Sequence, residues 1–200
     1  MGLVMALKPL HDKFDLVSIT PVAYQAVSGS GTAALSSLSK EESLDDKSLA
    51  ELKDGYYTRP IARNVIPLAG NLLDNGYSDE EMKFVNESKK ILGIPELVVE
   101  PSNARVGVRT GHGVFCSAVF EKNINTDEAI DELNNFEGVQ YWSETLATPL
   151  DAENNYDVLV SRLRIGLSSP KIINFWCVSD NLLKGAALNA VQIAKYLIQK

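Results

Sequence analysis

The sequence predicts an α+β fold, one sheet covered by a helical layer. Three observations predict it. Strand-like runs follow one another at 96–100, 104–109 and 113–120, and again at 139–142, 156–165 and 171–178. Helical segments opened by Ser78 and Thr126 interrupt those runs without strict βαβ alternation. The chain is 200 residues long with 45% apolar residues, enough for one domain over residues 1–200 whose core needs no disulfide or metal.

The elements follow in chain order. Leu3, Val4 and Leu7 are spaced as the apolar face of a helix, and no capping residue precedes them, so the pattern reads as a helix entered from an upstream segment. Residues 14–20 alternate with β-branched side chains and read as a strand. A Gly/Ser cluster at 28–32 leads into an Ala/Leu stretch, and residues 39–54 alternate in charge sign as a solvated helix face or mobile loop does. Residues 56–77, rich in Pro, Asn and Gly, read as turns. Ser78 and Glu81 form a capping box, with Met82, Val85 and Ile91 as the apolar stripe and Gly93-Ile-Pro95 as the stop. Thr126 caps a helix whose Ala129, Ile130 and Leu133 face inward, ending near Gly138. Asp180 and Asn181 open a last helix, apolar around much of its circumference and therefore expected to be buried on several sides.

Composition excludes several functions. Nineteen basic against 26 acidic residues give a net charge of −7, which argues against a nucleic-acid partner. No apolar run approaches the ~18 residues of a membrane span. Two cysteines, Cys116 and Cys177, suit a reducing compartment and a cytoplasmic protein, and no Cys/His spacing resembles a zinc site, so no metal is expected. Neither thiol has a basic neighbour in sequence, and both read as inert core residues.

Gly29-Ser-Gly31-Thr-Ala-Ala34 matches a dinucleotide fingerprint, but that motif requires a strand ending in Asp or Glu about 20 residues on, and none is present there. A tight glycine turn is the reading taken. Strand alternation puts Arg105, Gly107 and Arg109 on one side, and a turn at Thr110-Gly111 re-aims His112. An Arg fork suits a carboxylate, and His moves a proton near neutral pH; a surface Arg and a core or loop His is the alternative. Glu80 and Lys83, three apart on one helix, are side by side, either as a surface pair or as a site.

In order along the chain, these pieces resemble the aspartate-semialdehyde dehydrogenase family. The resemblance runs from residues 6–12 (ALKPLHD) and 24–29 (YQAVSG) through 64–67 (NVIP), 74–77 (DNGY), 80–83 (EEMK) and 86–92 (NESKKIL). It continues with Arg105 and His112, 148–152 (TPLDA) and 157–162 (DVLVSR), and closes on 180–194 (DNLLKGAALNAVQIA).

That resemblance implies the substrate-binding and dimerisation domain of the family. Its fold is a mixed, mostly antiparallel sheet with helices on one face, like the C-terminal domain of glyceraldehyde-3-phosphate dehydrogenase, pairing as a homodimer through the sheet. The family reduces L-4-aspartyl phosphate with NADPH to aspartate semialdehyde and phosphate, in lysine, methionine and threonine synthesis.

By position, Gln25 would orient the thioacyl intermediate beside the nucleophile, and His112 would be the general acid/base. Arg105 would clamp the substrate carboxylate, Glu80 its ammonium group, and Lys83 the phosphate. Asn181 and Gln192 would reach the NADP. The family's nucleotide-binding domain and Asn-Cys nucleophile would precede Met1, so these 200 residues are expected to be inactive alone, with helix 181–199 made to pack on that other domain. A non-catalytic dimerising partner of full-length subunits is the rival reading. A reductase of N-acylated acyl phosphates is disfavoured by Glu80, which such a substrate would leave without an ammonium group.

Overall fold

The computed structural model describes residues 1–199. Helix α1 (Gly2–Phe14) buries Leu3, Val4, Ala6, Leu7, Leu10 and Phe14 along one face. Strand β1 (Leu16–Gln25) follows, longer than its alternation announced. A 3-10 turn (Val27–Ser30) then leads into α2 (Thr32–Glu42) and α3 (Asp46–Glu51). Beyond β2 (Val65–Ile66) lies α4 (Asp79–Leu92), opened by the Ser78–Glu81 capping box and closed on Gly93 at φ 72°. Strands β3 (Val98–Val99), β4 (Ser102–Val106) and β5 (His112–Phe120) precede α5 (Thr126–Asn135) and β6 (Val139–Trp142). A short α6 (Pro149–Ala152), β7 (Val158–Ile165), β8 (Ile172–Ser179) and α7 (Leu188–Ile198) complete the chain.

The sheet order is β2-β4-β1-β5-β8-β7-β6, with β3 also on β1. The long pairings β1–β5, β5–β8 and β7–β8 are antiparallel, whereas β1–β4, β1–β3 and β6–β7 are parallel. The expected mixed, mostly antiparallel sheet is therefore present. Register sets two distinct faces. Ala23, Val114, Cys177 and Val160 lie side by side across four strands and, with Phe120, Phe175 and Ile173, meet α1 and α5 in the main core. The opposite face carries Tyr24, Phe115 and Trp176, with Phe115 and Trp176 ring centroids 4.7 Å apart. Trp176 lies flat over Gly113, where a Cβ would come within 2.0 Å of the indole, so only glycine fits there.

Several expectations change. Asn125, not Thr126, caps α5, accepting the Asp127 and Glu128 amides. On α4 the buried apolar residue is Leu92, while Ile91 is exposed. The strand foreseen at 104–109 ends at Val106, so Arg109 does not share a face with Arg105; it pairs at the surface with Glu42. The charged run 39–54 forms two helices, and its Glu41 is fully buried. The last helix begins with a π turn (Leu183–Ala187), and none of the residues in α7 is buried. Among the described residues no helix is long and apolar enough to cross a membrane, and no cluster of His, Cys, Asp or Glu could hold a metal.

Candidate functional site

A cavity of about 430 Å³ opens where α1, α4, the 3-10 turn and the start of the last helix meet at the end of β1 and β5. Gln25, Glu80, Lys83, His112 and Asn181 line it, with Met1 and Gly29. Strand ends and helix starts supply these residues because backbone pairing stops there and side chains are free to converge. Gln25 is the last residue of β1, His112 the first of β5, and Glu80 and Lys83 lie in the first two turns of α4.

Gln25 Nε2 donates to Glu80 Oε2 at 3.4 Å, and Lys83 Nζ donates to Glu80 Oε1. That bond to Glu80 raises the Lys83 pKa, so its ammonium stays charged. Arg105 is buried on β4, directly opposite Gln25 in the strand register. Its Nη1 donates to the Ala26 carbonyl at 2.8 Å, while the buried Nε has no partner. An orphaned guanidinium nitrogen in the interior is costly unless something anionic meets it. His112 Nδ1 accepts the Ala26 amide at 3.1 Å. Burial, then the Arg105 charge, pushes the His112 pKa down to about 3, with Asp180 acting in the opposite direction.

Two further buried polar residues hold this cluster: Asn103, which no sequence pattern singled out, and Asp180, expected only as an opener of the last helix. Asn103, buried on β4, exchanges hydrogen bonds with Ala69 in both directions, donates to Ser78 Oγ, and takes Glu81 Oε1 on its own amide. It thereby locks the start of α4, and with it Glu80 and Lys83, to the strand carrying Arg105. Asp180, also buried, accepts the Leu182 and Leu183 amides on one oxygen and the Asn154 amide on the other. Asn181 is then set to accept the Gly111 amide at 2.9 Å and to bond Ser28 Oγ, tying the two backbone segments that flank His112.

Gln192 does not join the cluster. Its Oε1 accepts Lys184 Nζ at 2.8 Å, and it lines a different cavity with Met5, Gly138 and Asp157. Of the residues expected to touch NADP, only Asn181 therefore lines the same cavity as His112. Gly31 caps α2 at φ 90°, as a tight turn. Cys177, not Cys116, lines a small adjoining cavity with His112, and burial pushes its thiol up to about 12. Cys116 is likewise raised by burial, so neither thiol is a thiolate at neutral pH.

Comparison with known proteins identifies the family and the fold. The model of the semialdehyde dehydrogenase dimerisation domain matches residues 7–184. Aspartate-semialdehyde dehydrogenase of Corynebacterium glutamicum is 41% identical over 213 residues, covering 100% of this chain and 61% of that protein. The crystal structure of aspartate semialdehyde dehydrogenase II from Vibrio cholerae is 35% identical, with a TM-score of 0.94 over 100% of this chain and 60% of that one. The same enzyme complexed with ASA gives a TM-score of 0.90 at the same identity and coverage. A Candida albicans aspartate semialdehyde dehydrogenase solved with NADP, 25% identical, gives 0.71 over 98% of this chain and 55% of that one. The chain thus spans about three-fifths of the length of the relatives it matches first.

Proposed function

The chain belongs to the semialdehyde dehydrogenase family as its dimerisation domain, and from that premise we propose that it supplies the substrate-binding half of an aspartate-semialdehyde dehydrogenase. The reaction is the NADPH-dependent reduction of L-4-aspartyl phosphate to aspartate semialdehyde and phosphate, in a cytoplasmic homodimer joined through the sheet. The observation that carries the reading is the convergence of Lys83, Glu80, Gln25 and the half-buried His112 on one cavity, with the buried Arg105 paired to Gln25 on the neighbouring strand. A zwitterionic substrate bearing a phosphoryl group needs that set.

Arg105 takes the substrate carboxylate, answering its unpartnered Nε. Glu80 takes the ammonium group, and Lys83 the phosphate. Gln25, between Glu80 and the start of α1, orients the acyl group. His112 meets the reacting oxygen. NADP, when bound, supplies the hydride; Asn181 is the residue of this chain suited to touch it, and the exposed Val191, Ile193, Leu197 and Ile198 of α7 pack on the domain that binds it. The thiol nucleophile comes from the Asn-Cys that the family carries ahead of the position of Met1, and Met1 itself lines the cavity.

The test is phosphate-dependent reduction of NADP by aspartate semialdehyde with these 200 residues alone. No turnover is expected. Turnover abolished by His112→Ala would place the nucleophile inside the chain and overturn the account; Cys177, beside His112, would then be the residue to replace.

A further inference from the structure

Arg105 and His112 are joined through the main chain of a single residue. The Ala26 amide donates to His112 Nδ1 at 3.1 Å, and the Ala26 carbonyl accepts from Arg105 Nη1 at 2.8 Å. A backbone N–H only donates, so the ring nitrogen facing it carries a lone pair. The one proton of a neutral imidazole is then on Nε2. The ring has little freedom to turn away from this arrangement. A Cβ on Gly29 would stand 3.1 Å from Nε2, 3.2 Å from Cε1 and 3.3 Å from Arg105 Nη1, so the Gly29 backbone closes over both groups. Asn181, bonded to Gly111 and Ser28, fixes the segments on either side.

We propose that Ala26 is a tautomer clamp: it holds His112 in its resting state as the Nε2–H form, so that the ring meets the reacting substrate oxygen with a hydrogen-bond donor. The identity of that oxygen rests on the reductase reading; the tautomer does not. The charged groups facing the ring are Arg105 on β4, Asp180 after β8 and the amino group of Met1 on α1, and burial together with Arg105 keeps the ring neutral. A neutral donor aimed at an oxygen that gains negative charge during hydride arrival stabilises that charge as an oxyanion-hole donor does. Ala26 is a positioning residue, acting through His112.

The experiment is a nitrogen-15 spectrum of the imidazole nitrogens of the full chain between about pH 5 and 8, where an ordinary histidine titrates. The chain has two histidines, and His11→Gln assigns them. The expected result is a protonated Nε2 and an unprotonated Nδ1 on His112, unchanged across the range. Averaged nitrogens, an Nδ1–H ring, or a midpoint near the ordinary 6.5 would overturn the proposal. A second variant tests the clamp itself. Ala26 sits at φ −67°, which proline shares, so Ala26→Pro deletes the N–H and displaces the ring without changing φ. His112 should then show mixed tautomers, whereas an unchanged His112 spectrum would refute the clamp. His11, whose Nδ1 accepts the Leu16 amide at 3.1 Å, reports that the fold persists. The spectrum needs no substrate, so its failure leaves the reductase reading standing, and failure of turnover leaves the tautomer standing.

Discussion

Glu41 carries a prediction that reaches from one buried carboxylate to the substrate clamp. Its Oε2 accepts the Ile61 and Ala62 amides at 2.6 and 2.9 Å, and its Oε1 accepts Ser37 Oγ. The segment held in this way braces β4: the Ile61 carbonyl lies so close to Gly107 that a Cβ there would stand 2.7 Å away. Replacing Glu41 by Ala leaves two buried amides unpaired, at about 1–3 kcal/mol each, so roughly 4 kcal/mol in all. At about 3 °C per kcal/mol for a chain of this length, the melting temperature falls by roughly 12 °C. Glu41→Gln keeps an oxygen for both amides and loses only the charge assistance, about 1 kcal/mol per bond, so it costs about half as much. Urea unfolding of the two variants at equal slope measures both. A cost below about 1 kcal/mol for Ala, or equal costs for Ala and Gln, would refute the reasoning that unpaired amides set the penalty.

Two further predictions concern the dimer face and the histidine. Phe115 is exposed on the aromatic face, and Phe115→Asp would bring like charges together across a two-fold interface, weakening dimerisation by about 3 kcal/mol, on the order of 100-fold. Sedimentation of chain and variant reads this, and an unchanged dimer would remove that face from the interface. For His112, the folded pKa of about 3 lies below the ordinary unfolded value of about 6.5. The unfolded chain therefore takes up the proton first, so stability is full above about pH 6.5 and falls by about 1.4 kcal/mol per unit as pH drops toward 3. His112→Gln lacks this component, so the wild-type advantage should shrink by about 2 kcal/mol between pH 7 and 5; parallel pH profiles for the two proteins would contradict it.

The fold was legible where the signal is local. The Ser78–Glu81 box, the Gly93 stop and the inward Ala129 and Leu133 depend on spacing within one helix, and the structure has them in place. Glu41 was illegible because a charge in a sign-alternating run looks solvated, and its partners lie 20 residues away in a turn-rich segment. Thr126 has the chemistry of a cap, but Asn125 just before it accepts the first free amides as readily and takes that place.

At the site, Glu80, Lys83 and His112 stand out by residue type and spacing and Gln25 by the resemblance alone, and the four share a cavity. Arg109 was grouped with Arg105 on the assumption that the strand continued, but β4 ends at Val106 and the two guanidinium groups part. Gln192 lies two turns beyond Lys184 on the same side of the last helix, and its amide is engaged there. Asn103 and Ala26 act through backbone amides and carbonyls, which side-chain patterns do not display.

The central claim is tested most directly by joining this chain to the part of the Corynebacterium glutamicum relative that lies outside the matched region. Phosphate-dependent NADP reduction by aspartate semialdehyde is then measured with and without Arg105→Leu. The account predicts turnover by the joined protein, and its loss when the carboxylate clamp is removed. A folded, dimeric joined protein that turns over nothing, or one whose rate ignores Arg105→Leu, would contradict it.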